Sequence, residues 1–178
     1  MEKIPKNFVG ILVMTKIKLE ENSPEELVAL FQRRGKFNTE NPEGFKWQSF
    51  DGLCEITSYG KAEKNESPEK ALKREMKEEL GKKAAKMILK SKPVKLYETM
   101  ENDGDKVFVW ASLLPKEILK EIKLDISTGG IEIIRKSDLK NIKEEKFSPE
   151  KCSVKNSENI TLFEIPVSAI EKAFEIFK

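Results

Sequence analysis

Hydrophobic residues near the start of the chain recur with the two-residue period of β-strands. The segment 8–18 alternates and is rich in branched side chains, which predicts a first strand. A second strand is predicted over 27–34, although Ser23 followed by Pro24 would also suit the start of a helix. The strand is favoured because Gly35 and the turn-rich run after it would end a helix early.

After residue 66 the apolar positions change to a helical period. Ser67 is a good N-cap, Pro68 suits the first helical position, and Gly81 is a natural stop after the helix. These signals predict a helix over 68–80 that packs on a core through one apolar stripe. The stripe consists of Leu72, Met76 and Leu80.

The remaining segments are shorter, and their elements are predicted from the same two periods. Aromatic and β-prone residues over 45–58 predict one or two short strands around a turn at Asp51 and Gly52. The polar run 143–159 is expected to be a surface loop. Further strands are predicted over 87–89, 94–100, 106–113, 131–135 and 161–165, a hairpin turn over 101–105, and helical segments over 115–122, 137–142 and 167–177.

The irregular alternation of strands and helices, with no internal repeat, predicts a mixed sheet with helices on both faces. We expect one α+β domain over residues 1–178.

Composition excludes several classes of protein. Hydrophobic residues make up 38% of the chain and charged residues 36%, which is typical of a soluble globular protein. The longest apolar run, 8–14, is far shorter than the ~20 residues of a membrane span, so we expect no membrane association. The net charge of +2 is too small to indicate binding to long nucleic acid.

Histidine is absent, which excludes Ser-His-Asp and Cys-His nucleophilic sites and histidine-ligated metals. The two cysteines, Cys54 and Cys152, cannot form a four-cysteine zinc site, and the lack of a disulfide framework favours a cytoplasmic protein. Any chemistry therefore depends on carboxylates, lysines, tyrosines or a metal held by oxygen.

Three carboxylates are the main candidates for that chemistry. Glu75, Glu78 and Glu79 have i, i+3 and i+4 spacing, so they emerge on one side of the predicted helix, away from its apolar stripe. Their repulsion disfavours the helix by roughly 0.2–0.5 kcal/mol per pair, which a divalent cation with oxygen ligands would reverse. The competing interpretation is a solvated Glu/Lys helix face. A metal site is favoured because Glu75 has no cation at i±3 or i±4.

The residues from Gly60 to Lys82 resemble the Nudix box. In that motif a glycine, five residues, a glutamate and seven residues precede Arg-Glu-hydrophobic-x-Glu-Glu-x-Gly-hydrophobic. Two positions depart from the family pattern: Lys82 replaces the final hydrophobic residue, and Ser58-Tyr59-Gly60 stands where many members have Pro-Gly-Gly. The matching residues are Gly60, Glu66, Arg74, Glu75, Met76, Glu78, Glu79 and Gly81.

The resemblance implies an α/β/α sandwich with a mixed sheet. It also implies hydrolysis of a nucleoside diphosphate linked to another moiety, with Mg²⁺ or Mn²⁺ as cofactor. The same resemblance implies that Glu75, Glu78 and Glu79 are metal ligands. In an alternative, one of the three acts on the attacking water instead. The backbone carbonyl of Gly60 is implied as a further metal ligand. Arg74 and Glu66 correspond to a structural ion pair.

A further base often comes from a later loop in this family. Glu132 is the first candidate here, with Glu101, Asp103 and Asp105 behind it, and each of these acids is otherwise an ordinary solvated residue.

Substrate-binding residues are proposed from chemistry alone. Arg33 and Arg34 suit a phosphate, but adjacent strand residues point to opposite faces, so at most one of them faces the site. Trp47 or Tyr59, and behind them Phe45 or Phe50, would stack on a base, unless they belong to the core. We expect a small-molecule nucleotide as partner, with the oligomeric state open and a homodimer among the alternatives.

Two other functions are compatible with the same fold. An isomerase of the isopentenyl-diphosphate type would need a catalytic cysteine and histidine ligands, and the chain has no histidine. A non-catalytic nucleotide-binding module would be expected to lose box glutamates, and this chain keeps all of them.

Overall fold

The computed structural model describes residues 5–38, 46–101, 104–124, 128–145, 161–163 and 165–178. None of the helices within these ranges is long and apolar enough to cross a membrane. The strands are β1 (Asn7–Ile17), β2 (Glu26–Asn38), β3 (Lys46–Ile56), β4 (Ser58–Lys61), β5 (Val94–Met100), β6 (Lys106–Leu114), β7 (Thr128–Arg135), β8 (Lys143–Glu145) and β9 (Thr161–Phe163). The helices are α1 (Pro68–Glu79), α2 (Lys82–Lys90), α3 (Ile118–Glu121) and α4 (Val167–Ile176), and a 3-10 helix spans Lys136–Asn141.

The described strands form one mixed sheet of nine strands in the order β5-β6-β1-β2-β3-β9-β8. The short strand β4 pairs with β1, and β7 pairs with β2, outside that main path. The sheet is antiparallel where β1 meets β2 and β4, and parallel where β1 meets β6. This arrangement confirms the predicted mixed sheet.

Alternate residues of the central strands supply two separate cores. On one face Val9, Ile11 and Val13 of β1 pack with the helices α1 to α3. On the other face Leu12 and Met14 pack with α4. A sheet with apolar side chains on both faces must be covered by helices on both, which gives the expected α/β/α sandwich.

Local sequence signals located several elements correctly. Residues 26–38 form strand β2 and not the alternative helix from Ser23. Helix α1 starts at the predicted N-cap, where the Ser67 hydroxyl accepts a hydrogen bond from the Lys70 N–H, and Gly81 follows its end with φ of 86°. The β5–β6 hairpin and the amphipathic helix α4 are also confirmed.

Two predicted elements are wrong, and a third is wrong at its first three residues and otherwise lies outside the described part of the chain. The strand over 87–89 belongs to helix α2, in which Ala84, Ala85 and Ile88 are buried, because a short apolar run has no period of its own to separate helix from strand. The loop over 143–159 begins with strand β8, and residues 146–160 lie outside the described part of the chain.

The predicted turn at Asp51 and Gly52 is also absent, since β3 runs without a break over 46–56. The pairing of β3 with β2 shifts at this point: Arg33 lies opposite Cys54, but Gly35 lies opposite Ser49. The extra residues of β3 are accommodated by this irregularity in its pairing with β2. Asp51 and Gly52 therefore lie at a register shift and not in a hairpin turn.

Thr57 fixes the position at which β4 leaves β3 and joins β1. Its Oγ1 accepts a hydrogen bond from the Val13 N–H at 2.7 Å and donates one to the Leu30 carbonyl at 2.6 Å. The side-chain amide of Gln32 donates to the Thr57 carbonyl. One buried hydroxyl therefore connects the backbones of β1 and β2 at the start of β4.

We expect Thr57→Val to lower the free energy of unfolding by roughly 1–3 kcal/mol, because it leaves the buried Val13 N–H and Leu30 carbonyl without their partner. Urea unfolding followed by circular dichroism measures the change. Thr15→Val is the matched control, since Thr15 is equally buried and its Oγ1 makes no hydrogen bond within the described residues. It should be neutral or stabilising, and equal effects of the two substitutions would contradict the role of Thr57.

Candidate active site

Helix α1 lies against strand β4, and its apolar stripe determines which carboxylates approach the strand. Met76 and Leu72 are buried in the core beneath the helix. Glu75 and Glu79, spaced i and i+4, flank this stripe and are partly buried, whereas 58% of the Glu78 side chain is exposed. The three glutamates are therefore not equivalent, although the sequence placed them on one solvent-facing side.

The carboxylate of Glu75 lies directly on the backbone of Gly60. A Cβ atom added to Gly60 would lie 2.1 Å from Glu75 Cδ and 2.3 Å from its Oε2, so the Glu75 carboxylate would have to move to make room for it. Glycine at position 60 therefore allows the carboxylate to lie against the backbone of β4.

Glu79 contacts the same strand one position earlier. Its Oε2 accepts a hydrogen bond from the Tyr59 N–H at 3.1 Å. Glu75 and Glu79 thus converge on the backbone of residues 58–60, the segment in which the sequence departs from the usual family pattern.

Arg74 connects the loop before α1 to the carboxylates on the helix. Its guanidinium donates two hydrogen bonds to Glu66, at 3.0 and 3.3 Å, and one to the Lys61 carbonyl at 2.9 Å. The same group donates to Glu75 at 2.7 Å and to Glu78 at 3.1 Å. The ion pair between Arg74 and Glu66 has the form that the resemblance implied.

The expectation that Glu75 lacks a local cation is wrong. Adjacent residues on a helix do not normally face each other, but the long Arg74 side chain reaches the carboxylate beside it.

Burial makes the two inner carboxylates harder to ionise. Desolvation raises the pKa of Glu75, and the hydrogen bond from Arg74 only partly opposes that effect. Desolvation also raises the pKa of Glu79, and the hydrogen bond from the Tyr59 backbone and the charge of Arg34 only partly oppose that effect. The hydrogen bond from Arg74 lowers the pKa of Glu66. A cation between Glu75 and Glu79 would therefore compensate for hydration that both carboxylates lack.

The donor set suits a hard divalent cation. Carboxylate and backbone oxygens are the ligands that Mg²⁺ and Mn²⁺ prefer, and Glu75, Glu79 and the backbone of 58–60 already lie side by side. No three acidic side chains within the described ranges form a ready-made cage. Glu78 is turned to Arg74, so it would have to rotate to join the other two.

The two adjacent arginines of β2 serve opposite faces of the sheet. Arg34 lies on the α1 side: it pairs with Glu55 at 2.9 Å, and its charge lowers the pKa of Glu79. The buried Glu55 was not identified from the sequence, because only its position opposite Gln32 in the folded sheet reveals it. Arg33 donates two hydrogen bonds to Glu132, at 2.7 and 2.9 Å.

Glu132 does not lie beside the carboxylates of α1. It pairs across the sheet with Phe31, which belongs to the core under α4 on the opposite face. Asp105 accepts a hydrogen bond from the Lys6 N–H, so it anchors the start of β1. Glu101 closes the β5–β6 turn through its backbone, and Asp103 lies outside the described residues.

The aromatic candidates are not gathered around Glu75 in the described part of the chain. The Tyr59 ring stacks on Phe8 with centroids 6.1 Å apart, on the α4 side of the sheet. The Trp47 backbone belongs to β3, but its side chain lies outside the described part, as do the side chains of Phe45 and Phe50.

Comparison with known proteins gives a consistent family. The model of the NUDIX domain family matches residues 17–145. No curated protein sequence matches the chain.

Several solved structures share the fold at low sequence identity. A mutT/nudix family protein from Listeria innocua is 20% identical, with a TM-score of 0.51, and the match covers 78% of this chain and 84% of that one. The NUDIX domain of NrtR from Shewanella oneidensis, solved with ADP ribose, is 14% identical with a TM-score of 0.53, covering 99% and 90% of the two chains. A NUDIX family hydrolase from Clostridium perfringens is 17% identical with a TM-score of 0.50, covering 99% and 100%.

We expect Gly60→Ala to weaken Mn²⁺ binding by at least ~10-fold, because the new Cβ displaces the Glu75 carboxylate from its place on β4. Isothermal titration of metal-free protein with Mn²⁺ measures the affinity, and a melting curve confirms that the variant is folded. Lys73→Ala, an exposed change on the same helix, is the control and should leave the affinity within twofold. Unchanged affinity in Gly60→Ala would mean that Glu75 is not a ligand.

Proposed function

This chain belongs to the Nudix family, and on that basis we propose that it is a metal-dependent pyrophosphohydrolase. Its substrate is a nucleoside diphosphate linked to another moiety, and water attacks one phosphorus of the diphosphate. Mg²⁺ or Mn²⁺ is the cofactor.

The observation that carries this proposal is the position of Glu75 and Glu79 on β4. Both carboxylates are partly buried, and one of them lies where a side chain at residue 60 would otherwise be. Arg74 offsets only part of the desolvation of Glu75, and the Tyr59 N–H and Arg34 offset only part of that of Glu79, so a bound divalent cation would compensate for the remainder in both carboxylates.

Each residue of the site has a defined task in the proposed reaction. Glu75 and Glu79 would hold the metal, together with Glu78 and the Gly60 carbonyl. When bound, the ion would neutralise negative charge on the phosphoryl oxygens and would lower the pKa of the water molecule bound to it. Glu66 holds Arg74, which in turn positions Glu75 and Glu78.

In the alternative in which one box glutamate acts on the water instead of holding the metal, Glu78 is our candidate for accepting the proton of the attacking water. It is the most exposed of the three box glutamates, so it can exchange that proton with solvent. Glu132 is not carried forward as the base, because its carboxylate is held by Arg33 on the opposite face of the sheet.

On the phosphate-binding side, Arg34 is the candidate that the geometry favours over Arg33. It lies on the α1 face near Glu79, although Glu55 already engages it. Tyr59 is not retained as a stacking residue because its ring packs on Phe8. Trp47 stays a prediction for base stacking.

The isomerase alternative also conflicts with the state of Cys54. Burial raises the pKa of this thiol to about 12, so almost none of it is thiolate near neutral pH. Together with the absence of histidine, this disfavours cysteine chemistry at Cys54.

We expect metal to raise the melting temperature by several degrees, because it relieves the repulsion and desolvation of Glu75 and Glu79. At ~100-fold excess over Kd the stabilisation is about 2.7 kcal/mol. Melting curves with saturating Mg²⁺ or Mn²⁺ are compared with curves in EDTA. The Glu75→Gln/Glu79→Gln double variant is the control and should show a much smaller shift. Superimposable curves for the unsubstituted protein would remove the support for the metal site.

We expect Glu75→Gln and Glu79→Gln each to lower turnover by at least ~100-fold while the fold remains intact, since glutamine keeps the shape but not the charge of the ligand. The assay is release of a monophosphate from a panel of nucleoside diphosphate derivatives with Mg²⁺ and then Mn²⁺. Glu69→Gln, on the exposed first turn of α1, is the matched control and should retain activity.

The bond that breaks is identified in ¹⁸O-labelled water. Label in one of the two phosphate products supports attack at phosphorus. Label in an alcohol or sugar product with the diphosphate intact would reject the mechanism, and full activity of Glu75→Gln would reject the metal assignment. Stoichiometric nucleotide binding without any product from the whole panel would favour the binding-module alternative.

A further inference from the structure

A cavity of about 650 Å³ lies between the start of β1 and the loop that leads from β4 to α1. Residues 5–7 form one side of it, and residues 61–66 form the other. None of the three α1 glutamates lines this cavity, so it is distinct from the proposed metal site. The two share one boundary, because Glu66 lines the cavity and is held by Arg74.

The lining of the cavity carries unpaired positive charge. Lys6, Lys61 and Lys64 all contribute to it, and none of them has a carboxylate within 4.0 Å in the described part of the chain. The two acidic residues of the lining both approach Arg74 instead. Glu66 accepts hydrogen bonds from the Arg74 guanidinium, and a carboxylate oxygen of the exposed Glu63 lies 4.0 Å from Arg74 Nε. The lysines are therefore without an ion-pair partner among the described residues.

The backbone on the loop side turns sharply at this cavity. Asn65 has φ of 67°, in the left-handed region, and the Glu63 N–H donates to Glu66 Oε2. This turn and the Arg74 contacts hold the loop in one shape, so Lys61 and Lys64 are carried by a fixed segment and not by a free tail.

We propose that this cavity binds a chain of two or more phosphate groups at a site separate from the hydrolytic centre. Three lysine residues in the lining of one concavity match several phosphates better than a single one, and the volume exceeds what one phosphate needs. The ligand chemistry is the same whether the chain is inorganic polyphosphate or the phosphate tail of a nucleotide.

The loop that lines the cavity also positions Arg74. The Lys61 carbonyl and the Glu66 carboxylate both accept hydrogen bonds from that guanidinium. A polyphosphate in the cavity would therefore lie against the same loop that holds Arg74.

The test uses inorganic tripolyphosphate and the full chain in EDTA, so no metal and no hydrolysis are involved. Titration followed by ¹H–¹⁵N correlation spectra should show saturable shifts at the amides of residues 6–7 and 61–66. Lys61→Gln/Lys64→Gln should raise the Kd by at least ~10-fold. Lys73→Gln/Lys77→Gln is the matched control: it removes the same charge from exposed positions of α1 outside the cavity and should change the Kd less than twofold.

Each other outcome overturns the proposal. Absence of saturable binding, or equal weakening in both double variants, would show that only general charge attracts the anion. Shifts confined to residues 58–60 and α1 would place the anion at the hydrolytic centre instead.

A parallel titration with ATP in EDTA distinguishes the two sources of ligand. Equal affinity for both probes indicates that the phosphate chain alone is recognised, and tighter binding of ATP identifies a nucleotide. Because the titrations need no turnover, inactivity of the protein as a hydrolase leaves their result intact.

Discussion

The geometry of the candidate site depends on the Arg74 guanidinium. Its planar set of N–H donors reaches the Lys61 carbonyl and Glu66 in the loop, and Glu75 and Glu78 on the helix. Arginine suits this task because its donors are rigidly arranged and its charge does not titrate near neutral pH. Without this cation these three carboxylates would repel one another across the loop–helix junction, and the loop before α1 would lose its attachment to the helix.

The candidate site also depends on strand β4, which the Glu75 and Glu79 carboxylates contact. Strand β4 is placed by Thr57, which ties it to β1 and β2, and by its own pairing with β1. It presents Gly60 to Glu75 and the Tyr59 N–H to Glu79. The core residues Leu72 and Met76 determine the rotation of α1 and so keep both carboxylates at this strand. The packing of Leu72 and Met76 beneath α1 therefore determines where the charges of Glu75 and Glu79 lie.

Most helices and strands could be predicted from the sequence, whereas most contacts between distant segments could not. Helix α1 and its carboxylates were predictable because Ser67, the i, i+4 spacing and Gly81 all act within a few residues. The apolar run 87–89 was assigned to a strand because three residues cannot display a period. The α4-side position of Glu132 could not be foreseen, since it depends on the register between β7 and β2. The burial of Glu55 beside Arg34 depends in the same way on the register between β2 and β3.

The site is built from one continuous segment of the chain, and this has a consequence for the chain entropy lost on folding. The contacts of Glu66 with Arg74, Gly60 with Glu75 and Tyr59 with Glu79 all join residues between positions 59 and 79. The parallel pairing of β1 with β6, in contrast, joins Asn7 to Lys106. Closing a short loop loses less chain entropy than closing a long one. The contacts between the loop and the helix of the site are therefore expected to close at a smaller loss of chain entropy than the long-range pairing of the sheet that supports them.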